Sequence, residues 1–342
     1  MKKIAFLFAL FIIFSLGMVY AQRGTAREDV INIRFASPLP RNSEWGRALD
    51  RLAAEWQQAS NNQIQVVVSH DGREGSELRM LSSLSSNSIQ VGIFTSAGIS
   101  EICPAVINLS IPFLIGNEAE FDLVLREILP VLETRVKDDF IILAWSKGGW
   151  VYLFSREQIL SPADLRRQRI ASSPELTEMN AVFRGMGFNL IDTDITAIGQ
   201  RLASGAVNTI YLIPSAVAPM QLHRSLNHMM ELPIAPIMGA IVINRVTWNR
   251  ISPAHQQQLL RITRRIAGEF DESVTRTEAN ALASMSRSGL SVNTLTQAQQ
   301  DLWRTELLGF LPQFIGNTST STYDRDIYNR INQILQRSRS GQ

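Results

Sequence analysis

The chain has 342 residues, of which 45% are apolar and 19% are charged, and its formal net charge is +2. This composition is that of an ordinary globular protein and excludes a largely disordered chain. The basic residues are spread along the sequence, so nucleic acid is not an expected partner. A single cysteine, Cys103, excludes an intramolecular disulfide, and its apolar neighbours favour an inert buried thiol.

The first 21 residues have the pattern of a secretory signal peptide. Two lysines precede an apolar run from Ile4 to Val19, and residues 19–21 suit a cleavage site. We therefore predict export to the periplasm and a mature chain that begins at Gln22. Because no cysteine lies near the cleavage point, we do not expect a lipoprotein. An uncleaved membrane anchor is the alternative to a cleaved signal peptide.

Strand-like and helix-like segments alternate in the first part of the mature chain. They are a strand at 31–35, a helix at 44–59, a strand at 64–68, a helix at 76–84 and a strand at 89–94. This alternation predicts an α/β sheet with helices on both faces, whose ligand crevice opens at the carboxyl ends of the strands. The loops at 37–43, 70–76 and 95–100 should meet at that crevice.

A second block begins after a strand at 140–145 and the pair Gly148-Gly149, where backbone freedom suits a crossover between lobes. Its predicted elements are a strand at 151–154, a helix capped by Ser161, a strand at 169–172, helices at 179–186 and 196–204, and a strand at 207–211. The chain is predicted to return to the first lobe near residues 233–236, before a strand at 241–243.

Two lobes follow from the length of the mature chain, which is too great for one small core. We assign residues 31–147 and 237–270 to lobe I, and residues 148–236 and 271–340 to lobe II. Ser252 and Pro253 begin the longest predicted helix, which ends near residue 288. At 1.5 Å per residue it spans about 54 Å, enough to bridge both lobes.

The sequence contains none of the common catalytic or metal-binding motifs. Its four histidines lack the spacing of a zinc site, and no GxSxG elbow, phosphate loop or GxGxxG segment after a strand is present. His70 and Asp71 could form a hydrogen-bonding pair at the crevice, but a solvated loop histidine is the favoured interpretation. We therefore predict a protein that is not an enzyme and that uses no cofactor or metal.

Three ordered motifs resemble a known family. Residues 161–170 read SPADLRRQRI and resemble the segment "tpeDlkGlKiR" of the DctP-type solute-binding proteins of TRAP transporters. Residues 201–209 resemble that family's "ALqtGvvDG", and residues 242–252 resemble its "vvNkxxwdkLs". The resemblance covers about Ile31 to Leu311. It implies a two-lobed, flytrap periplasmic-binding-protein fold of type II-like architecture, a long helix that spans both lobes, and TRAP membrane permease subunits as partners.

The charged ligand anchors of that family are missing here. In the family, the arginine that ends "KiR" typically holds a substrate carboxylate by two hydrogen bonds. The corresponding position is Ala171, the family's second basic contact falls on Trp150, and its asparagine after "DG" falls on Leu212. Because a buried, unpaired carboxylate is costly, we expect a largely apolar ligand.

Two further expectations depend on the same resemblance. A relocated anchor among Arg41, Arg73 and Arg184 would restore a site for an acidic ligand. The loss of the arginine anchors also resembles the subgroup of TRAP systems that is associated with tetratricopeptide-repeat proteins. That resemblance implies hydrophobic ligands and a periplasmic repeat protein as a further partner.

Predicted ligand contacts come from the crevice loops, the crossing between lobes and the segment 171–212. They are Asn42, Trp45, Glu77, Thr95, Trp145, Trp150, Ala171, Ser172, Asn208, Tyr211 and Leu212. Aromatic side chains bury a large apolar area, and a few polar groups can orient a ligand among them. Core packing is the alternative for each tryptophan, although the resemblance places Trp150 at the ligand.

These observations favour a periplasmic receptor that closes on a small ligand by hinge motion and delivers it to a TRAP permease. One alternative is a periplasmic scaffold or sensor that binds a helical-repeat partner without a transport role. A hydrolase is less favoured, because no nucleophile and base are found together.

Overall fold

The computed structural model describes residues 30–174, 176–316 and 323–341, so the predicted signal peptide lies outside the described residues. In these ranges ten strands and twelve α-helices form a mixed α/β structure, and the strands belong to one continuous sheet. The α/β fold class predicted from the sequence is confirmed. None of the helices in these ranges is both long and apolar enough to cross a membrane.

Three parallel strands form one end of the sheet: β1 (Ile31–Ala36) lies between β2 (Ile64–Ser69) and β3 (Val91–Thr95). Helix α1 (Glu44–Ala59) connects β1 to β2, and helix α2 (Glu77–Ser85) connects β2 to β3. All five elements were predicted within two residues of their observed bounds. Their helices begin where serine side chains accept hydrogen bonds from backbone N–H groups of the first turn.

The loops after β1 and β2 meet at the carboxyl ends of these strands, as predicted. The backbone N–H of Ser37 donates to the carbonyl of Ser69 at 2.9 Å, and that of Asp71 donates to the carbonyl of Leu39 at 3.0 Å. The segment that follows β3 contains α3 (Ser96–Ser100), a 3₁₀ helix at 104–110 and α4 (Glu118–Glu133).

Strand β4 (Phe140–Ser155) runs antiparallel to β9 (Ala235–Asn244) from the pair Phe140–Asn244 to the pair Val151–Ala235. The sequence predicted two strands separated by the glycine pair, whereas the structure has one strand of 16 residues. Gly149 has a φ of +100° at a shift in the strand register. A residue without a Cβ tolerates that conformation. The strand therefore forms a bulge at the glycine pair and stays paired with β9 on both sides of it.

The elements at the other end of the sheet come after β4 in the chain. They are α5 (Pro162–Arg166), β5 (Ile170–Ser172), α6 (Thr177–Gly185), β6 (Leu190–Asp192), a 3₁₀ turn at 195–197, α7 (Ile198–Ser204), β7 (Thr209–Leu212), α8 (Pro214–Val217), a 3₁₀ turn at 222–224, β8 (His228–Met230) and, later in the chain, β10 (Ser291–Asn293).

Strand order along the sheet is β2-β1-β3-β9-β4-β7-β5-β6, with β8 joined to both β4 and β10. Strand β4 therefore pairs with β9 along most of its length and with β7 at its carboxyl end. The two parts of the structure are connected through this long strand and through β9.

A third connection is the long helix α10 (Pro253–Arg287), which follows the short helix α9 (Arg245–Arg250). Its 35 residues span about 52 Å. It packs against α1 near its start and against β4 and α8 further along. Trp56 of α1 donates from Nε1 to Thr263 Oγ1 at 3.1 Å, which fixes the first part of the helix. The predicted long helix that reaches both parts of the fold is confirmed.

The last helices pack on different parts of the molecule. Helix α11 (Gln297–Phe310) contacts α5, and Glu306 pairs with Arg166 there. Helix α12 (Arg325–Arg339) instead packs against α4, which lies in the segment predicted for lobe I. Its apolar face at Ile327, Ile331 and Ile334 completes the core around α4. The bounds of the two lobes stay a prediction.

Candidate functional site

A cavity of about 280 Å³ lies between strand β4 and the long helix α10, where the two parts of the fold are connected. Helices α4 and α8 close its sides. Its lining residues are Glu118, Phe121, Lys147, Gly149, Trp150, Tyr152, Pro214, Asp271, Val274, Thr275, Glu278, Ala279 and Leu282.

Helical periodicity places the residues of α10 on this wall. Asp271, Val274, Glu278 and Leu282 recur at spacings of three and four, so they lie on one face of the helix. The opposite wall comes from β4 on either side of its bulge. The lining therefore combines an apolar surface with charged groups from three elements.

Lys147 lies between two carboxylates. Its Nζ donates to Glu118 Oε1 at 2.6 Å and also contacts Asp122 Oδ1. Burial lowers the pKa of Lys147, but the hydrogen bonds to Asp122 and Glu118 outweigh that effect and raise it above its usual range. The one ammonium group on the described cavity wall is therefore charged and already paired twice.

Trp150 is held in place from two sides. Its Nε1 donates to Glu118 Oε2 at 2.9 Å, so this carboxylate bridges the indole and Lys147. Its ring meets Phe121 edge to face, with 5.9 Å between ring centroids. Such contacts leave an aromatic surface facing the cavity in a fixed orientation.

Asp271 supports the bulge of β4 from the helix. Its Oδ1 accepts from Ser146 Oγ at 2.7 Å and from the backbone N–H of Lys147 at 2.9 Å. Burial nevertheless raises the pKa of Asp271 above its ordinary value. The carboxylate therefore joins α10 to β4 and adds negative charge at the cavity.

Glu278 is the least satisfied polar group on the cavity wall. Its Oε1 accepts from the backbone N–H of Ser215 at 3.3 Å, whereas its buried Oε2 has no hydrogen-bond partner. Burial raises the pKa of Glu278 to about 7. The nearby glycine, Gly149, leaves room for this side chain, because a Cβ there would lie 3.3 Å from its carboxyl carbon.

Carboxylates outnumber cations in this cavity. Glu118, Asp271 and Glu278 line it, and Lys147 is the matching cation. No arginine is among the described lining residues. Of the candidate relocated anchors, Arg41 pairs with Asp50, Arg184 pairs with Asp192, and neither they nor Arg73 reach this wall.

The structure places one predicted contact, Trp150, directly on the cavity. Leu212 is half-buried and lies opposite Tyr152 in the pairing of β7 with β4, one strand from the lining. Ser172 and Tyr211 are buried and hydrogen-bonded to each other. Burial raises the pKa of Tyr211 to about 12, so this pair is a neutral polar connection within the core.

Two predicted contacts at the motif positions lie elsewhere. Ala171 is only 5% exposed and packs in a core cluster with Leu202 and Ile210, so it does not line the cavity. Asn208 lies just before β7, at the end of the strand remote from the crevice edge. Its side chain accepts from the Arg169 N–H and donates to Gln168, which stabilises the strand entry.

The predicted contacts from the first part of the chain also lie off the cavity. Glu77 accepts from the N–H groups of Thr95 and Gly98 at 3.0 and 2.9 Å, so both residues stabilise the start of α3. Asn42 is exposed, and its carbonyl accepts from Arg47.

Two tryptophans predicted as ligand contacts pack on other elements. Trp45 packs against Phe270 of α10, with 3.8 Å between ring centroids. Trp145 donates from Nε1 to Glu133 at 3.2 Å, at the end of α4. Neither is among the cavity-lining residues.

His70 differs from its prediction as a solvated loop residue. It is 4% exposed, and its Nε2 lies 2.8 Å from Asp50 Oδ1. The partner is thus on α1 and not the adjacent Asp71. In the described ranges, no group of three or more His, Cys, Asp or Glu side chains could hold a metal ion.

Two sheet regions connected by long antiparallel strands and by one long helix, with a cavity at their connection, define a two-lobed solute-binding protein. The chain belongs to the DctP family, described as bacterial extracellular solute-binding protein, family 7, whose model matches residues 35–316. These proteins are the solute-binding receptors of TRAP transporters and are not enzymes. The family resemblance and the absence of an enzymatic role are thereby confirmed.

Solved structures with the same fold are similar to nearly the whole chain. A TRAP solute-binding protein from Ralstonia eutropha H16 with bound (S)-2-acetolactate has 18% identity and a TM-score of 0.79, over 90% of this chain and 99% of that one. One from Sulfurospirillum deleyianum with bound succinate has 16% identity and a TM-score of 0.78, over 90% and 99%. One from Xanthobacter autotrophicus Py2 with bound β-D-galacturonate has 16% identity and a TM-score of 0.76, over 88% and 99%. No curated protein sequence matches the chain.

The prediction of a largely apolar ligand is wrong. The cavity wall carries three carboxylates and a lysine beside its aromatic surface, and the three similar structures hold charged acids. The prediction depended on the positions where arginines are missing. That prediction did not take into account the acidic residues that α4 and α10 contribute to the same cavity.

Proposed function

We propose that this protein is a periplasmic receptor that binds a small polar solute in the cavity between β4 and α10 and delivers it to a TRAP-type permease. The observation that carries the proposal is the position of the cavity. It lies where β4 and α10 connect the two parts of the fold, so closure of the lobes would enclose its contents. A charged solute is consistent with the ligands of the three similar structures.

The contacts with the ligand are proposed for the residues on the cavity wall. Trp150 supplies an aromatic surface, and Glu118 orients its indole. Asp271 and Glu278 supply acceptors from α10. Leu212 and Tyr211 are proposed to act from behind this wall, through β7. Export through a signal peptide and a tetratricopeptide-repeat partner stay predictions.

A pair of alanines on α10 gives a sharp test. Ala279 lines the cavity, whereas Ala283, one turn further on the same helix, is exposed and is not among the lining residues. Ala279→Trp should fill the cavity, whereas Ala283→Trp should leave it open. Native mass spectrometry of protein purified from its own bacterium should show a bound small molecule in the wild type and in Ala283→Trp, but not in Ala279→Trp. Equal occupancy in both variants would place the solute elsewhere and contradict the proposal.

A further inference from the structure

We propose that the cavity takes a small organic cation, whose ammonium group binds between the carboxylate of Glu278 and the aromatic side chains of Trp150 and Tyr152. This inference rests on the proposed function, since it specifies the ligand class of the same cavity. It differs from the acidic ligands held by the three similar structures.

The first support is the unpartnered oxygen of Glu278. A buried acceptor without a donor costs free energy, because its bonds to water are lost and not replaced. Oε2 of Glu278 is such an acceptor, and Gly149 leaves space beside its carboxyl group. An N–H donor on a ligand would satisfy it, and a charged donor would do so most strongly.

The second support is the aromatic surface. Trp150, Tyr152 and Phe121 line the cavity, and Trp150 is fixed by its hydrogen bond to Glu118 and by its contact with Phe121. The face of an aromatic ring attracts an ammonium group, and tryptophan does so best. On this surface the indole N–H of Trp150 is already donated to Glu118, so a ligand carboxylate would find only the phenolic O–H of Tyr152 as a donor.

The third support is the charge around the cavity. Glu118 and Asp122 both pair with Lys147, so two negative charges already offset the charge of its ammonium group. Asp271 and Glu278 remain as acids on the α10 wall. An anion would therefore meet net negative charge in a partly desolvated space, whereas a cation would be attracted there.

The fourth support concerns the groups that face Glu278. Ser215 at the start of α8 contacts this carboxylate directly, and the titratable groups on the same cavity wall are Glu118 on α4, Lys147 and Tyr152 on β4, and Asp271 on the same helix. Burial raises the pKa of Glu278 to about 7, so the hydrogen bonds from Ser215 only partly stabilise its charge while the cavity is empty. A bound cation would stabilise the ionised form and lower that pKa.

Size limits the ligand. A volume of about 280 Å³ lies at the lower end of the range of small-molecule pockets, which begins near roughly 300 Å³. A chain of about six carbons with one head group fits within that volume. Hexylammonium, hexanol and hexanoate are therefore suitable probes, because they share one chain and differ in the charge of the head group.

Isothermal titration calorimetry at pH 8 with these three probes tests the proposal. Hexylammonium should bind at least tenfold more tightly than hexanol, and hexanoate more weakly than either. Glu278→Gln should weaken hexylammonium at least tenfold. Glu272→Gln, an exposed residue of the same helix that does not line the cavity, should leave it unchanged. Circular dichroism would show that both variants are folded.

Three outcomes would overturn the cation inference: tighter binding of hexanoate, no effect of Glu278→Gln, or no binding of hexylammonium to the wild type. Failure of the receptor function has a different signature. If succinate binds and Ala279→Trp abolishes that binding, the cavity is a solute site and only the charge assignment is wrong. If Ala279→Trp leaves the binding of every probe unchanged, the cavity is not the solute site.

Discussion

Gly149 and Glu278 are in close contact where the strand and the long helix cross. A Cβ on Gly149 would lie 3.3 Å from both the carboxyl carbon and Oε1 of Glu278, and Gly149 itself has a φ of +100°. The glycine thus serves two purposes, because it permits the bulge in β4 and leaves room for the buried carboxylate.

Gly149→Ala should therefore destabilise the protein. The left-handed backbone conformation disfavours a Cβ, and the added methyl would push against Glu278, so we expect a loss on the order of 1–2 kcal/mol. Urea denaturation measures it. Gly268→Ala is the control, since that glycine lies within α10 and a Cβ added to it would have no atom within 4 Å. This control should stabilise the protein by about 0.5–1 kcal/mol. Equal effects at both positions would contradict this account of Gly149.

Glu278→Gln should stabilise the empty protein at alkaline pH. The pKa of Glu278 is raised from 4.5 to about 7 on folding, so an ionised Glu278 opposes folding. This cost is absent below pH 4.5, grows as pH rises towards 7 and is fully present above that. The free energy of unfolding of the variant, relative to that of the wild type, should be higher at pH 8 than at pH 4 by on the order of 1–3 kcal/mol. Thermal denaturation at the two pH values measures it, and a pH-independent difference would show that Glu278 titrates normally.

High pH, which destabilises the empty protein, should strengthen the binding of a cation. Because the ligand favours ionised Glu278, binding of hexylammonium should strengthen as pH rises from 6 to 8 and should release protons near pH 7. Calorimetry in buffers of different ionisation enthalpy counts those protons. In Glu278→Gln, the proton release should disappear. Proton release that persists in this variant would assign it to another group.

Arg339 should stabilise the last helix on α4. It donates from Nε and Nη2 to the carboxylate of Glu120 at 2.7 and 2.8 Å. Burial alone would raise the pKa of Glu120, but the hydrogen bonds from Arg339 and from the N–H of Gly116 lower it. Stability from a lowered acid pKa is present above the unfolded value and is lost as pH falls through the folded one.

Arg339→Met should accordingly cost on the order of 1–2 kcal/mol at pH 7, and less as pH falls below the ordinary range of carboxyl groups. Arg337→Met is the matched control, because Arg337 pairs with Glu127 at the exposed surface and should cost less than about 1 kcal/mol. Denaturant titration of both variants at pH 7 and pH 4 tests this. A larger loss for Arg337→Met would refute the role assigned to Arg339.

Much of the fold could be predicted from the sequence, because period-two strands, capped helices and the long apolar stripe of α10 are local signals. The continuous strand β4 could not, because a glycine pair predicts a break as readily as a bulge. Its continuity depends on pairing with β9, nearly a hundred residues away in the chain.

The candidate site was predicted less well than the fold. Trp150 lies on the cavity wall, whereas Ala171 packs in the core. The acidic residues were missed, although Asp271 and Glu278 lie seven residues apart on the apolar face of a predicted helix. Carboxylates at that spacing on an apolar stripe are a detectable sign of a buried acidic surface. Glu118 had no such sign, since its place depends on how α4 packs.

A crystal structure of the protein with its co-purified solute tests the central claim most directly. The account predicts electron density for the solute between β4 and α10, in contact with Trp150 and with a donor within hydrogen-bond distance of Glu278 Oε2. Density outside this cavity, or a solute carboxylate against Glu278, would contradict it.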